Sequence, residues 1–106
     1  MDQRAAVRVP VRARAQFRVE GFVIDGLVED VSRSGLFMRA PRQLEPGASA
    51  ELSIDLPGEE RLQLAAEVVR VERFPRPGMG LRFVGDEVRH RRPLANFIMR
   101  QHAVIR

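Results

Sequence analysis

The chain has 106 residues, a net charge of +4 and no cysteine, which excludes a disulfide framework and thiolate chemistry. Hydrophobic residues make up 44% of the sequence, enough for one buried core, and no apolar run approaches the ~20 residues that cross a bilayer. The charged N-terminal stretch has no signal-peptide core, so we expect one soluble domain in the cytoplasm.

All 18 residues counted as lysine or arginine are arginines. Five of them lie in residues 1–20 and five in residues 86–106, while the middle of the chain is close to neutral. Arginine binds phosphate through paired hydrogen bonds and stacks on flat rings. The distribution favours an anionic partner near the two ends, although an all-arginine surface can also reflect genome composition.

The N-terminal residues predict an extended, flexible arm over 1–10, because Val9 precedes a proline and is disfavoured in a helix. From Val11 to Val19 apolar and polar residues alternate, which is typical of a half-buried strand. We therefore expect the folded domain to occupy residues 11–106.

Five further extended segments follow, separated by turns rich in glycine and proline. The second segment contains Asp25 and Gly26, a pair typical of a turn or a bulge. The others are LFMRA, ASAELSIDL, RLQLAAEVVRVERF and MGLRFV. Six short strands joined in this way predict a mainly β fold, either a small antiparallel barrel or a sandwich.

The period changes near the C-terminus, where three apolar residues are spaced as on one face of a helix. These residues are Leu94, Phe97 and Ile98. Pro93 suits the first turn of a helix, where its missing N–H costs nothing. The spacing predicts a helix over residues 93–103, preceded by a turn at 86–91, that packs on the barrel or covers its mouth.

The sequence carries no combination of residues typical of an enzyme or a metal site. The two histidines, His90 and His102, would lie about 120° apart on one helix. Glu29 and Asp30 are adjacent in an extended segment, so we expect them on opposite faces and not as an acid–base pair. We therefore expect neither catalysis nor a bound metal.

Two spaced motifs remain to be explained. Arg4 and Arg8 form R-x-x-x-R, but the arginine content alone gives about three such pairs by chance. Asp30, Ser32 and Gly35 form D-x-S-x-x-G, for which the composition predicts about 0.01 occurrences. A structural explanation of this second motif is also open, in which Asp30 forms a turn and Gly35 has a positive φ.

An arginine arm followed about twenty residues later by [DN]-x-S-x-x-G resembles the PilZ domain, the bacterial receptor for cyclic di-GMP. Here the second motif begins 22 positions after Arg8. The segments GLFMRA, AEVVRVE and GMGLRF fall where barrel strands of that family fall, so the resemblance covers almost the whole chain. It implies a six-stranded antiparallel β-barrel with a C-terminal α-helix and with cyclic di-GMP bound on its outer surface.

The resemblance also implies a role for each motif residue. Arg4 and Arg8 would contact the phosphates and guanines, and Asp30 would accept hydrogen bonds from a guanine Watson–Crick edge. Ser32 would add a hydrogen bond, and Gly35 would allow close approach of the backbone. The implied protein is a signalling adaptor without a cofactor, which couples cyclic di-GMP to an unidentified downstream protein in motility, biofilm or polysaccharide control. An arm that orders on binding would act as the switch.

One position departs from the pattern of many family members. Gln3 stands where those members carry an additional arginine that favours a stacked pair of ligand molecules, so the resemblance implies one bound molecule here. Arg8 and Arg12 form a rival register for the arginine motif. We prefer Arg4 and Arg8, because Arg12 alternates with Arg14 on the polar face of a strand, where solvation suffices.

Two other functions are consistent with the sequence. The first is a basic β-barrel that binds single-stranded nucleic acid, which requires exposed aromatic residues for base stacking. Tyrosine and tryptophan are absent. The phenylalanines at expected core positions are Phe17, Phe37, Phe83 and Phe97, and those left undecided are Phe22 and Phe74. The second is a PilZ-like protein-interaction module that binds no ligand, against which the intact motifs argue.

Overall fold

The computed structural model describes residues 7–85 and 91–104, which form six strands and one helix. The elements are β1 (Val9–Val19), β2 (Phe22–Val31), β3 (Gly35–Arg39), β4 (Ser49–Ile54), β5 (Leu62–Glu72), β6 (Gly78–Val84) and α1 (Arg92–Val104). The strands pair antiparallel and close into a barrel in the order β1-β2-β3-β6-β5-β4. The predicted six-stranded barrel with a C-terminal helix is therefore confirmed.

Strand β1 shows why the alternating pattern predicted strands correctly. Its apolar residues Ala13, Ala15 and Phe17 are buried, while the intervening residues face solvent or lie half-buried. The strand begins at Val9, two residues earlier than expected, because Val9 pairs with Val31 at the end of β2. The rest of the predicted arm includes residues 1–6, which lie outside the described residues, so the division at residue 10 stays a prediction.

Strand β2 corrects one expectation about the turns. Asp25 and Gly26 lie within the strand, paired with Gln16 and Ala15 of β1, and form neither a turn nor a bulge. The apolar alternation continues through them, since the neighbouring Ile24 is buried. Tertiary pairing with β1 overrides the local preference of an Asp-Gly pair for turns.

Helix α1 lies within one residue of the predicted bounds at each end. Its buried side chains, Leu94, Phe97 and Ile98, belong to the same apolar cluster as the barrel interior, so the helix packs on the barrel as expected. Burying a side chain of this size stabilises the fold by about 1.5–3 kcal/mol. The predicted preceding turn falls largely on residues 86–90, outside the described residues. No helix among the residues that the structure describes is long and apolar enough to cross a membrane.

Candidate ligand-binding site

A bulge in β2 determines how the second motif is presented. Val28 pairs with Met38 and Asp30 with Phe37, so Glu29 is an extra residue in β2 opposite β3. Val28 and Val31 are both fully buried, although they are three positions apart. Because an extra residue shifts the alternation by one position, Glu29 and Asp30 both face outward. The expectation that these two carboxylates lie on opposite faces was therefore wrong.

The bulged end of β2 brings the two motifs together. Arg8 lies immediately before β1, and Asp30 pairs with Pro10 inside that strand. The Arg8 guanidinium donates through Nη2 to Oδ1 of Asp30, forming an ion pair. Both side chains remain accessible, with exposed fractions of 49% and 37%. Arg4, the other arginine of the motif, lies outside the described residues.

Ser32 is placed inside the turn that connects β2 to β3. Its hydroxyl accepts the N–H groups of Ser34 and Gly35, each at 3.2 Å, and lies 3.3 Å from the Gly35 carbonyl oxygen. The backbone N–H of Ser32 donates to the Gly35 carbonyl oxygen at 2.8 Å. Ser32 is fully buried, so in this structure it holds the turn after Asp30. A direct hydrogen bond from Ser32 to a ligand stays a prediction.

Gly35 is required for packing and not for an unusual backbone angle. The glycines with positive φ are Gly21, Gly47, Gly58 and Gly85. Gly35 is therefore not in the left-handed region, contrary to the structural explanation considered for the motif. A Cβ at residue 35 would lie 2.2 Å from the carbonyl oxygen of Leu81 on β6. The glycine thus lets β3 lie directly against β6 beneath the motif.

The Arg8–Asp30 pair borders a small outer cleft of about 180 Å³. The remaining lining residues are Glu29, Phe37, Arg70, Glu72 and Arg76. Three arginines therefore converge on one opening, each close to a carboxylate. Besides the Arg8–Asp30 pair, Arg70 lies 3.5 Å from Glu72 and Arg76 lies 3.5 Å from Glu29.

In each of these ion pairs the arginine side is exposed, so the pairs are suited to exchange. Pairs of this kind contribute about 0–1 kcal/mol, because water and salt screen them. A dianionic ligand that offers phosphate oxygens to the same guanidinium groups can therefore replace the carboxylates at small cost.

Within the described residues no group of three or more histidine, aspartate or glutamate side chains is arranged to hold a metal ion.

Sequence reasoning did not find Arg70 and Arg76, and it placed Phe37 only as a core residue. Phe37 is buried as expected, but it lines the outer cleft and does not belong to the main apolar cluster. A signal for Arg70 is present in the sequence. Val68 and Val71, like Val28 and Val31, are apolar residues three positions apart in a strand that otherwise alternates in twos. Such a break in phase indicates a bulge.

Arg12, from the rival register of the arginine motif, lies beside the candidate site. It lines a neighbouring cleft with Glu29 and Arg76, next to the irregular pairing between Pro10 and Ala13. Arg12 is exposed, as a solvated role requires. A binding measurement on Arg8 and Arg12 variants distinguishes the two registers.

The match to a known family is consistent with this geometry. A family model for the PilZ domain matches residues 2–100, and the chain belongs to the PilZ domain family. The resemblance inferred from the motifs is thus confirmed. Among curated proteins no match was found.

Solved structures with the same fold extend the comparison. The Bacillus subtilis inhibitor of motility, MotI/DgrA, matches at a TM-score of 0.83 and 23% identity over 100% of this chain and 54% of that one. The PilZ domain of YcgR from Escherichia coli, solved with c-di-GMP, matches at 0.82 and 14% identity over 97% and 94%. YcgR in complex with c-di-GMP matches at 0.79 and 14% identity over 98% and 48%. This chain spans about half the length of MotI/DgrA and of that longer YcgR chain.

Proposed function

We propose that this chain is a cyclic di-GMP receptor that acts as an adaptor between the second messenger and a partner protein. The observation that carries the proposal is the contact between Arg8 and Asp30, which joins the two family motifs at one outer cleft. The family membership and the ligand present in the YcgR structures support it. The protein is on this proposal a binding module and not an enzyme.

The chemistry of the cleft fits the proposed ligand. Cyclic di-GMP is a dianion with two guanine bases. Arg8, together with Arg4, supplies guanidinium groups that bind phosphate bidentately and stack on purines. The Asp30 carboxylate accepts hydrogen bonds from the N1–H and N2–H₂ groups of a guanine edge. In this proposal Ser32 and Gly35 maintain the turn and the close strand packing that place Asp30.

The adaptor role follows from what the ligand does to the chain. The ligand would replace the Arg8–Asp30 contact and hold the N-terminal arginines on its phosphates and bases, and the altered surface would be recognised by a downstream protein. MotI/DgrA is named as an inhibitor of motility, which makes motility one process to test here, beside biofilm and polysaccharide control. The replacement of an arginine by Gln3 favours one ligand molecule per chain.

Isothermal titration calorimetry with cyclic di-GMP tests the proposal, with GTP, cyclic AMP and a single-stranded RNA as comparison ligands. We expect heat of binding and a stoichiometry of about one for cyclic di-GMP, and far weaker binding of the other three. At 100 times Kd the ligand adds about 2.7 kcal/mol to stability, so the melting temperature should also rise. The absence of both signals at ~100 µM cyclic di-GMP would overturn the receptor function and favour a ligand-independent interaction module.

A further inference from the structure

One row of paired residues crosses the barrel wall from the Arg8–Asp30 pair to a residue outside both motifs. Asp30 on β2 pairs with Phe37 on β3, and Phe37 pairs with Gly80 on β6. Gly80 in turn pairs with Arg70 on β5. Arg70 therefore lies in the same cross-strand row as Asp30 and borders the same cleft.

A second bulge turns Arg70 outward. Val68 pairs with Leu81 and Arg70 with Gly80, so Val69 is an extra residue in β5. The inward phase that buries Val68 would otherwise place residue 70 inside the barrel as well. With the extra residue, both Val69 and Arg70 are exposed. Bulges thus aim residues of β2 and β5 at one outer surface.

The residues between Asp30 and Arg70 hold the arginine side chain across the row. Gly80 has no side chain, and a Cβ there would lie 3.4 Å from Cβ and 3.6 Å from Cζ of Arg70, so the arginine lies along the space above the glycine. Its Cζ is over the ring of Phe37, 5.5 Å from the centroid. Phe37 is only 6% exposed, whereas the Arg70 side chain is 58% exposed. The guanidinium therefore covers the ring on one side and is accessible to solvent on the other.

We propose that Arg70 is a third arginine of the ligand site and that its guanidinium, backed by Phe37, is a platform on which a guanine base stacks. This inference rests on the proposed function and names a contact that neither motif supplies. A guanidinium is planar and stacks on flat rings. Because the Phe37 ring already restrains the side chain, less conformational entropy is lost on binding. The single 3.5 Å contact with Glu72 is exposed and exchanges at small cost.

The platform is tested by substitutions that separate the charge of Arg70 from its plane. Arg70→Lys retains the positive charge and removes the flat surface, while Arg70→Ala removes both. We expect each variant to bind cyclic di-GMP about five- to tenfold more weakly than the wild type, as loss of a base-stacking contact predicts. The wild-type ion pair between Arg70 and Glu72 is exposed and contributes little to stability. The ligand-free variants should therefore melt at the wild-type temperature.

Arg73 provides a matched control on the same hairpin. It is 61% exposed and lies 3.4 Å from Glu45, so its environment resembles that of Arg70, but it does not line the cleft. Arg73→Lys and Arg73→Ala should therefore bind like the wild type. Calorimetric titrations of the four variants and the wild type measure these differences directly.

Each outcome of the titrations has one meaning. Weaker binding by both Arg70 variants, with both Arg73 variants unchanged, supports the platform. Wild-type affinity in Arg70→Ala overturns the contact, and wild-type affinity in Arg70→Lys alone overturns the stacking role in favour of charge. An early melting transition of ligand-free Arg70→Ala, matching its loss of affinity, assigns the residue to the fold and also overturns the inference. If the wild type itself does not bind, the proposed function fails, a result distinct from failure of Arg70 in a binding protein.

Discussion

The arginine–carboxylate pairs at the β4–β5 turn and at the candidate site differ in their geometry. Near the β4–β5 turn, Arg61 contacts both oxygens of Asp55, from Nε at 2.9 Å and from Nη2 at 3.0 Å. Arg100 of α1 joins the helix to the same turn, through the Pro57 carbonyl at 3.2 Å and the Glu59 carboxylate. Arg61 therefore joins the two ends of the β4–β5 turn, and Arg100 joins helix α1 to that turn.

At the candidate site two of the three arginine contacts are looser, whereas Arg8 pairs closely with Asp30. Arg70 and Arg76 each reach a single carboxylate oxygen at 3.5 Å, and they share one cleft with Arg8. Neither the number of arginines nor the size of an opening therefore locates the site. A cleft of about 500 Å³ lies between the β4–β5 turn and the helix, but its lining includes three glutamates, Glu51, Glu59 and Glu60. That lining has two arginines against the three glutamates, whereas the smaller cleft has three arginines against three carboxylates, so the smaller cleft repels a dianion less.

The largest expected effect comes from breaking the scaffold beneath the candidate site. In Gly35→Ala the new Cβ would meet the Leu81 carbonyl oxygen at 2.2 Å, so β3 and β6 would have to separate. We expect a loss of about 3 kcal/mol or more in the free energy of unfolding, and failure to fold with the larger Gly35→Val. Chemical denaturation of the ligand-free protein measures this loss.

Gly47→Ala is the control for Gly35→Ala. Gly47 has a φ of 101°, but nothing lies within 4 Å of an added Cβ. The backbone strain there should cost only about 1–2 kcal/mol. A smaller loss of stability in Gly35→Ala than in Gly47→Ala would contradict the packing role of Gly35.

The second prediction compares the two kinds of arginine directly. Arg8→Ala should weaken cyclic di-GMP binding tenfold or more, since hydrogen bonds to charged groups contribute about 1.5–3 kcal/mol. Arg61→Ala is a matched control, because Arg61 is 51% exposed and paired with an aspartate, as Arg8 is at 49%. Arg61→Ala should leave the affinity for cyclic di-GMP unchanged. Arg12→Ala should lose less than Arg8→Ala, and equal losses would show that the rival register is correct.

The third prediction concerns Asp30, the carboxylate that both pairs with Arg8 and faces the cleft. Asp30→Ala should weaken binding by roughly 1–3 kcal/mol, because the guanine donors lose their acceptor. Its ligand-free melting temperature should stay close to that of the wild type, since the ion pair is exposed. Affinity and melting temperature are measured on the same preparation. Early melting with wild-type affinity would make Asp30 a structural turn residue.

The fold was predictable because its signals are local. Alternation in β1, helical spacing around Phe97 and turns rich in glycine and proline each follow from backbone geometry. The motif spacing also predicted residues of the candidate site, and the structure brings Arg8 and Asp30 into contact. The bulges at Glu29 and Val69 were not predicted, although the apolar spacing changes phase at both, because which residue is extra is defined only by the pairing with the partner strand. The outward direction of Arg70 depends on such a bulge, so sequence reasoning missed it.

The smallest expected effect is a pH-dependent change in stability from the Arg61–Asp55 pair. The hydrogen bond from Arg61 lowers the pKa of Asp55 below its ordinary value, and partial desolvation opposes this only in part. A carboxyl whose pKa is lower in the folded state stabilises the fold above its unfolded pKa of about 3.9, and this contribution is lost as the pH falls through the folded pKa. Asp55→Asn should therefore be slightly less stable than the wild type at pH 7, with the difference shrinking below about pH 4. Denaturation curves across this range measure the difference, which should also diminish at high salt because Asp55 is 47% exposed.

Affinity for cyclic di-GMP at pH 7 should not change, since Asp55 does not line the smaller cleft. A stability difference that persists at acid pH, or a change in affinity, would contradict a purely structural role for the Arg61–Asp55 pair.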